Sequence, residues 1–189
     1  MKKIFLVSGW LAVLFAIASV SDIDAQFNRF GGGLVFNSPM NSPDLEIGNP
    51  GFNARGVYEI NEQFFLIPGL TFQLPKTKTY SEGDQKKTTL LNVNLNATYT
   101  LATEGTLLFY ALLSPCLSSI YTKWDTDRPE LESGMEILPG LGVGTGIEMI
   151  VEKDINAFTQ VKYIVSKYQQ LVISIGVHYY FEGRRFRKW

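Results

Sequence analysis

The segment from 171 to 181 constrains the fold of this chain more than any other. Its odd-numbered positions are Leu, Ile, Ile, Val, Tyr and Phe, whereas its even-numbered positions are Val, Ser, Gly, His and Tyr. Side chains of a β-strand alternate between two faces with a period of two residues. One face of this predicted strand is therefore continuously apolar and ends in aromatic residues, and the other is small or polar apart from Val172. Such a strand suits a position with hydrocarbon outside it and water or polar packing inside.

Seven further segments have strand character, so the sequence predicts eight strands. The clearest is 91–101, where six apolar or aromatic residues alternate with three asparagines and two threonines. Five polar residues on one face cannot enter an apolar core without partners, so they need water or one another. Segment 106–116 is apolar on both faces, but Pro115 and the β-rich neighbourhood favour a strand over a helix. Pro68 predicts a bulge, because proline gives no ladder hydrogen bond. The predicted strands are 27–36, 52–60, 64–74, 91–101, 106–116, 136–149, 157–165 and 171–181.

The connections between these strands follow a second regularity. They are long after the first, third and fifth strands and short after the second, fourth and sixth; the last connection, 166–170, is also short. Long outer loops alternating with short periplasmic turns are expected of an even-stranded membrane barrel. No run of eighteen apolar residues follows residue 25, and a chain without such helices can cross a bilayer only as a closed barrel. The long connections are 37–51, 75–87 and 117–135, and the short ones are 61–63, 102–105 and 151–156.

The two ends of the chain differ in character from the predicted barrel. Lys2 and Lys3 precede an apolar segment, 4–20, and Ala25 stands before Gln26, a pattern that predicts a cleavable signal helix over 1–25. A retained transmembrane anchor is the alternative, because the apolar segment is nearly long enough to span. Segment 182–189 carries four basic residues with two aromatics, which indicates either contact with anionic head groups or a solvated terminus.

Charge and cysteine content exclude several classes of function. Cleavage after Ala25 removes two lysines and two aspartates and leaves the formal net charge at −1, so no nucleic-acid partner is indicated. The single cysteine, Cys116, excludes an internal disulfide framework. We expect it to be a small buried residue in a strand.

The run Ser174-x-Gly176-x-x-Tyr179-x-Phe181 resembles the closing-strand assembly signal of bacterial outer-membrane barrels. Together with the alternation over 91–101 and the glycine-rich strand 140–146, it makes residues 26–181 resemble the small eight-stranded outer-membrane barrel family, the OmpA/OmpX-type porin-like proteins. The resemblance implies an all-β, eight-stranded antiparallel up-and-down transmembrane barrel in the bacterial outer membrane. It also implies a monomer whose partners are outer-membrane lipids and the barrel-assembly machinery. The expected role is structural, adhesive or surface-interacting, without catalysis or a cofactor; a narrow porin-like channel is an alternative.

The inward faces of the predicted strands carry the candidate functional residues. Buried charges must be paired or hydrated, so they indicate either a selectivity element in a narrow pore or a salt-bridged plug. Eight strands leave room only for side chains, which favours the plug. The glycines of 140–146 would make room for larger inward groups such as Arg55, Lys162 or Tyr180. The predicted interior polar network consists of Arg55, Glu59, Asn92, Asn94, Asn96, Glu136, Glu148, Lys162 and His178.

The sequence gives little support to an enzymatic function. The glycine series fails the G-x-G-x-x-G nucleotide motif, because position 145 is threonine. His178 is the only histidine, which excludes a multi-histidine metal site, and Ser174 lies roughly 13 Å away along the same strand. An outer-membrane lipid-modifying enzyme would need a lipid-facing catalytic cluster, whereas His178 is predicted to face inward. A soluble lipocalin-like binding barrel is the other alternative; it predicts apolar inward faces.

Overall fold

A computed structural model of the chain describes residues 26–40, 50–80, 84–125 and 133–181, and these form eight β-strands. The predicted signal peptide, 1–25, and the predicted basic tail, 182–189, lie outside the described residues. Within the described ranges there is no helix with the length and hydrophobicity to cross a bilayer. The strands are β1 (Gln26–Pro39), β2 (Pro50–Glu59), β3 (Phe64–Thr79), β4 (Gln85–Glu104), β5 (Leu107–Asp125), β6 (Gly134–Glu152), β7 (Ile155–Val165) and β8 (Gln170–Tyr180).

The strands form one closed antiparallel barrel in chain order, and β1 completes the ring by pairing with β8. One end of the barrel, here called the turn end, carries three tight turns at 60–63, 105–106 and 153–154. Gly105 has a positive φ of 58° there, which favours glycine. The other end, the loop end, carries the connections 40–49, 80–84, 126–133 and 166–169. The predicted all-β, eight-stranded antiparallel up-and-down barrel is confirmed.

Several strands extend well beyond their predicted bounds. β4 has 20 residues and β5 and β6 have 19 each, so much of the predicted loops 75–87 and 117–135 is paired strand. Lys78 pairs with Lys86 and Lys87 with Lys123 in this region. The strand bounds predicted from alternation were too short. On the loop-end side of the apolar segments the sequence is polar on both faces, but backbone pairing continues there.

The predicted bulge at Pro68 is wrong. β3 and β4 remain in register through the pair of Pro68 with Leu95, and the irregularity on this strand lies between Gln73 and Lys76. On the side of β2, Gly69 pairs with Arg55 and the next pair is Leu66 with Tyr58. The register is the same on both sides of this gap. Pro68 therefore lies at a gap in the ladder to β2, where a missing N–H costs little.

The barrel is apolar outside and mostly polar inside. Among the described residues, 31 large hydrophobic side chains are exposed, whereas the buried set comprises 13 hydrophobic and 19 polar or charged residues. On β4, Leu91 and Val93 are 39% and 52% exposed, while Asn94 between Val93 and Leu95 is 7% exposed. This is the sidedness predicted from the sequence. The apolar interior that a lipocalin-like soluble barrel requires is not what the strands enclose.

Candidate functional site in the barrel lumen and at the loop end

A charged cluster closes the turn end of the lumen. Glu148 on β6 accepts a hydrogen bond from Arg29 Nη1 on β1, and its other carboxylate oxygen lies 3.3 Å from His178 Nδ1 on β8. Asn156 on β7 donates to Glu148 Oε1 and lies 3.2 Å from the Tyr180 hydroxyl. Arg29, Glu148, Asn156 and His178 are each at most 7% exposed. We call these five residues the turn-end plug.

Aromatic rings fill the space around the turn-end plug. The Arg29 guanidinium lies 5.1 Å from the centre of the Phe65 ring, and the His178 ring stacks on Phe158 at 4.6 Å. Arg55 lies over the same Phe158 ring at 3.8 Å. Charged groups and rings contributed by β1, β2, β3, β6, β7 and β8 thus meet in one layer across the lumen. That layer leaves the turn end packed with side chains.

Glycines make room for this packing. A Cβ atom at Gly31 would overlap the His178 ring, and one at Gly146 would overlap the Tyr110 hydroxyl. At Gly144 it would lie 2.8 Å from Lys162 Cβ, so the expected relation to Lys162 holds for the root of that side chain. The atoms nearest to a Cβ at these glycines belong to other residues than Arg55 and Tyr180, so the expected relations to those two side chains stay predictions.

A polar cavity lies on the loop side of the turn-end plug. Arg55 Nη1 donates to Gln160 Oε1 at 3.2 Å, and Lys162 Nζ donates to Asn96 Oδ1 at 3.4 Å and Ser114 Oγ at 3.3 Å. The side chains around these groups leave a small cavity of about 20 Å³, which we call the lumenal cavity. Nearer the loop end, Asn92 Nδ2 donates to Ser118 Oγ at 2.8 Å, Asn94 Nδ2 to Asn92 Oδ1 at 3.1 Å and Asn37 Nδ2 to Gln170 Oε1 at 2.6 Å.

The structure divides the predicted interior residues among three places. Arg55, Asn92, Asn94, Asn96 and Lys162 line the lumenal cavity, and Glu148 and His178 belong to the turn-end plug. Glu59 is partly buried at the turn end and accepts a hydrogen bond from Asn28 at 2.6 Å. Glu136 lies apart from both clusters at the loop end, where it contacts Lys167 and Tyr168.

The contact between Glu136 and Lys167 is an exposed ion pair at the rim. Lys167 Nζ lies 2.5 Å from Glu136 Oε1, and the two side chains are 59% and 42% exposed. The hydrogen bond to Glu136 raises the pKa of Lys167, and the bond to Tyr168 adds to the effect. Because solvent screens exposed pairs, this contact adds little to stability.

Several residues of the site were not predicted from the sequence. Arg29 is the most important, because it is the cation that binds Glu148. Its strand is interrupted by three glycines, and a register irregularity between Phe27 and Arg29 breaks the alternation. Gln160 lies on a predicted strand, 157–165, whose alternation gives it an inward position, so the pattern could have identified it. Ser114 lies on a segment that is apolar on both faces, where the pattern gives no such signal.

The closing strand places its proposed assembly signal on both faces of the barrel. Ser174 faces the lumen and is 3% exposed, whereas Tyr179 and Phe181 are 53% and 61% exposed at the turn end. A Cβ atom at Gly176 would lie 2.7 Å from the Phe158 ring, so this glycine adjoins the rings of the plug layer. Recognition of these residues by the assembly machinery stays a prediction.

A basic region lies on the parts of β3, β4 and β5 that extend toward the loop end. It has lysines on both faces of the sheet, because Lys86 pairs with Lys78 and Trp124, whereas the next residue, Lys87, pairs with Lys123. Lys78 Nζ lies 5.3 Å from the centre of the Tyr80 ring, and Lys86 Nζ lies 5.4 Å from that of Trp124. The two rings are themselves 5.5 Å apart. The alternation did not predict this region, because its lysines fall in a segment expected to be loop. We call it the basic extension; its lysines are Lys76, Lys78, Lys86, Lys87 and Lys123.

The described side chains do not form a metal centre or a lipid-facing catalytic cluster around the histidine. No group of three or more His, Cys, Asp or Glu residues in the described ranges could hold a metal ion. His178 is 1% exposed and lies between Glu148 and Phe158. It therefore cannot serve a reaction on the lipid-facing surface. Cys116 is buried, as expected, and is not in a disulfide.

Comparisons with known proteins identify the fold. No family model and no curated protein sequence matches the chain. Among solved structures, the Neisserial surface protein NspA is similar, with 18% identity, a TM-score of 0.62, and coverage of 83% of this chain and 99% of NspA. Ail of Yersinia pestis, solved in complex with the heparin analogue sucrose octasulfate, has 15% identity and a TM-score of 0.59, and the match covers 82% of this chain and all of Ail. The N-terminal barrel domain of Pseudomonas aeruginosa OprF has 13% identity and a TM-score of 0.56, with 84% of this chain and all of that domain covered. The predicted resemblance to small bacterial outer-membrane barrels is confirmed at the level of the fold.

Proposed function

We propose that this protein is an integral barrel of the bacterial outer membrane that acts through its loop end, by binding a strongly anionic partner such as a sulfated or phosphorylated glycan. The apolar outer surface contacts membrane lipid, and the loop end faces the outside of the cell. The protein acts as a monomer without catalysis, and the barrel-assembly machinery inserts it by reading the closing strand. The observation that carries the binding proposal is the basic extension.

The basic extension holds like charges close together. Lys87 and Lys123 are both exposed and lie directly opposite each other on β4 and β5. Like charges at directly opposed positions of a sheet destabilise the pair, and an anionic ligand between them would remove that cost. The carboxylates of the described part of this region are Asp84 and Asp125, against five lysines. The complex of Ail with sucrose octasulfate shows that a barrel of this fold can bind a strongly anionic sugar.

Aromatic rings would help to orient Lys78 and Lys86, which lie on the opposite face of the sheet from Lys87 and Lys123. Lys78 and Lys86 each lie near an aromatic ring, at distances typical of cation–π contacts. Such contacts restrict the lysine side chains before a ligand arrives, which lowers the entropy that binding costs. Tyr80 and Trp124 also offer flat apolar surfaces of the kind on which sugar rings pack.

The turn-end plug argues against the channel alternative. Arg29, Glu148 and His178 meet across the lumen together with Phe65 and Phe158. An eight-stranded barrel encloses little more than the volume of its inward side chains. A closed lumen leaves the loop end as the part of the protein that can meet a partner in solution.

Binding of sucrose octasulfate tests the proposed function. The barrel, refolded in detergent micelles, is titrated with this probe by calorimetry at low and high salt. We expect binding at low salt that weakens as salt rises, because exposed charges are screened. Replacing Lys87 and Lys123 together by glutamine should weaken binding at least tenfold, whereas Lys153→Gln, an exposed lysine at the turn end, should not. Absence of binding, or equal binding by both variants, would contradict the proposal.

The proposed location is tested by fractionation. The protein should be recovered in outer-membrane fractions and should migrate faster in SDS without heating than after boiling, because folded barrels resist the detergent. Recovery as a soluble periplasmic protein without a heat-dependent shift would exclude the outer membrane.

A further inference from the structure

We infer that the lumenal cavity is a binding site for a small monatomic anion, such as chloride, held between Arg55 and Lys162. The inference concerns the interior of the barrel and does not depend on ligand binding at the basic extension. It begins from an imbalance of charge in the loop-side half of the lumen.

Two buried cations face the lumenal cavity without a carboxylate partner. Arg55 and Lys162 are each 4% exposed. Their hydrogen-bond acceptors are the neutral groups of Gln160, Asn96 and Ser114, and among the described residues neither cation forms an ion pair. Glu148, the buried carboxylate of the lumen, already forms contacts with Arg29 and His178. Burying an ion without a counter-charge is expensive, so the cavity needs a compensating negative charge.

The geometry brings the two cations toward the same space. The Arg55 guanidinium reaches Gln160 on β7, and Lys162 occupies the next inward position of that strand. Inward positions two residues apart are separated by roughly 7 Å. Both side chains line the one cavity, so a chloride ion in it can lie within reach of both.

The rest of the cavity lining also suits an anion in water. Every other lining residue is uncharged, and asparagine and glutamine supply many N–H donors. Gln170 is 1% exposed, and its amide nitrogen has no partner in the described structure. It is thus a buried donor available to an anion or its hydration shell. The amide oxygens of Asn53 and Gln73 also lack partners, which indicates that water also enters the cavity. The cavity volume of about 20 Å³ has room for about one water-sized group, so a chloride ion would take the place of water between the two cations.

The turn-end plug makes this a site of binding and not of passage. Its layer of charges and rings lies between the lumenal cavity and the turn end, so an anion that enters from the loop side stops at Arg55. The site would neutralise the lumen and fix the inward amides, and in that way it would stabilise the folded barrel.

Bromide provides the most direct test, because it replaces chloride and scatters X-rays anomalously. Crystals of the barrel grown in bromide should show an anomalous peak inside the lumen between the Arg55 guanidinium and Lys162 Nζ. Anomalous peaks confined to the outer surface would show adventitious ions only and would overturn the inference.

Thermal unfolding in micelles gives a second, independent readout. At equal ionic strength the protein should melt about 3 °C higher in chloride than in gluconate, which is too bulky for the site. Lys162→Met should abolish this difference, and Lys162→Arg should keep it, so that loss of the site is distinguished from a general failure to fold. Lys153→Met serves as the matched control. No difference between chloride and gluconate would contradict the inference.

The same melts separate this inference from the proposed function. Replacing Lys87 and Lys123 by glutamine should leave the chloride effect unchanged while weakening binding of sucrose octasulfate. Lys162→Met should do the reverse. If either variant altered both the chloride effect and the binding of sucrose octasulfate equally, the two sites would not be independent and the lumenal assignment would fail.

Discussion

Glu148 is the residue on which the closed turn end depends most. Its carboxylate contacts Arg29, Asn156 and His178 at once, and all four side chains are buried. Removing one member of a buried ion pair leaves the other charge without compensation, which costs several kcal/mol. A single inward carboxylate therefore holds three strands, β1, β7 and β8, to β6.

We expect Glu148→Gln to lower the free energy of unfolding by about 3 kcal/mol, because Arg29 keeps a buried charge without a counter-ion. Urea titration of the refolded barrel measures this change. Glu136→Gln is the matched control, since Glu136 forms an exposed pair with Lys167 and should change stability little. Equal losses in the two variants would show that burial of the cluster is not what gives it strength.

Gly31 is expected to be required for space. A Cβ atom there would overlap the Val177 carbonyl oxygen and the His178 ring, and backbone cannot move aside as a flexible side chain can. Gly31→Ala should lower the free energy of unfolding by about 2 kcal/mol. At Gly134 a Cβ atom meets nothing within 4 Å, so Gly134→Ala should be neutral. The same urea titration compares them, and a neutral Gly31→Ala would contradict the packing described here.

Inward residues were predictable where the alternation is regular, and their partners were not. The faces of Arg55, Lys162 and His178 follow directly from a period of two. Arg29 did not follow, because the irregularity after Phe27 shifts its phase. Which cation binds Glu148 depends on the register of non-neighbouring strands across the lumen, and a linear pattern carries no information about that distance.

At the scale of whole elements, β3, β4 and β5 differ from the other strands in how far they extend past their predicted bounds toward the loop end. Their ends pair with one another beyond the apolar residues, through Lys78 with Lys86 and Lys87 with Lys123. Contact with lipid on one face requires apolar and polar residues to alternate along a strand, whereas contact with water on both faces does not. The strand bounds at the loop end could therefore not be predicted from hydrophobicity. The turn end was predicted closely because short turns follow directly on the last apolar residue.

Lys123→Glu should separate ligand binding from stability in this extension. The substitution places opposite charges at a directly opposed pair, which should stabilise the barrel by about 0.5 kcal/mol while weakening binding of sucrose octasulfate. Thermal unfolding and calorimetry measure the two effects. The double substitution Lys87→Glu with Lys123→Glu restores repulsion and should cancel the gain in stability. A gain in both stability and binding would contradict the assignment of Lys123 to the ligand surface.

For the molecule as a whole, closure of the lumen predicts the absence of ion conduction. The plug residues span the turn end, and eight strands leave no room for a water-filled path around them. Purified protein in planar bilayers should give no regular single-channel steps, with a general porin inserted from the same detergent as positive control. Steps of constant size that depend on the protein would show that the lumen opens.

The overall fold was predictable because two independent regularities agree on it. The alternation over 91–101 and 171–181 sets the faces, and the long and short connections set the order of the strands. Neither regularity depends on a distance across the barrel, which is why the fold followed from the sequence while the division of the lumen into a plug and a cavity did not.

The central claim is that the apolar face of each strand contacts lipid. It is tested most directly by spin labels placed one at a time at positions 91–96 of a Cys116→Ala protein in lipid bilayers. Labels at 91, 93 and 95 should be accessible to oxygen, which concentrates in the bilayer, and labels at 92, 94 and 96 should be protected from it. The opposite periodicity, or greater access of a water-soluble nickel chelate at 91, 93 and 95, would contradict the account.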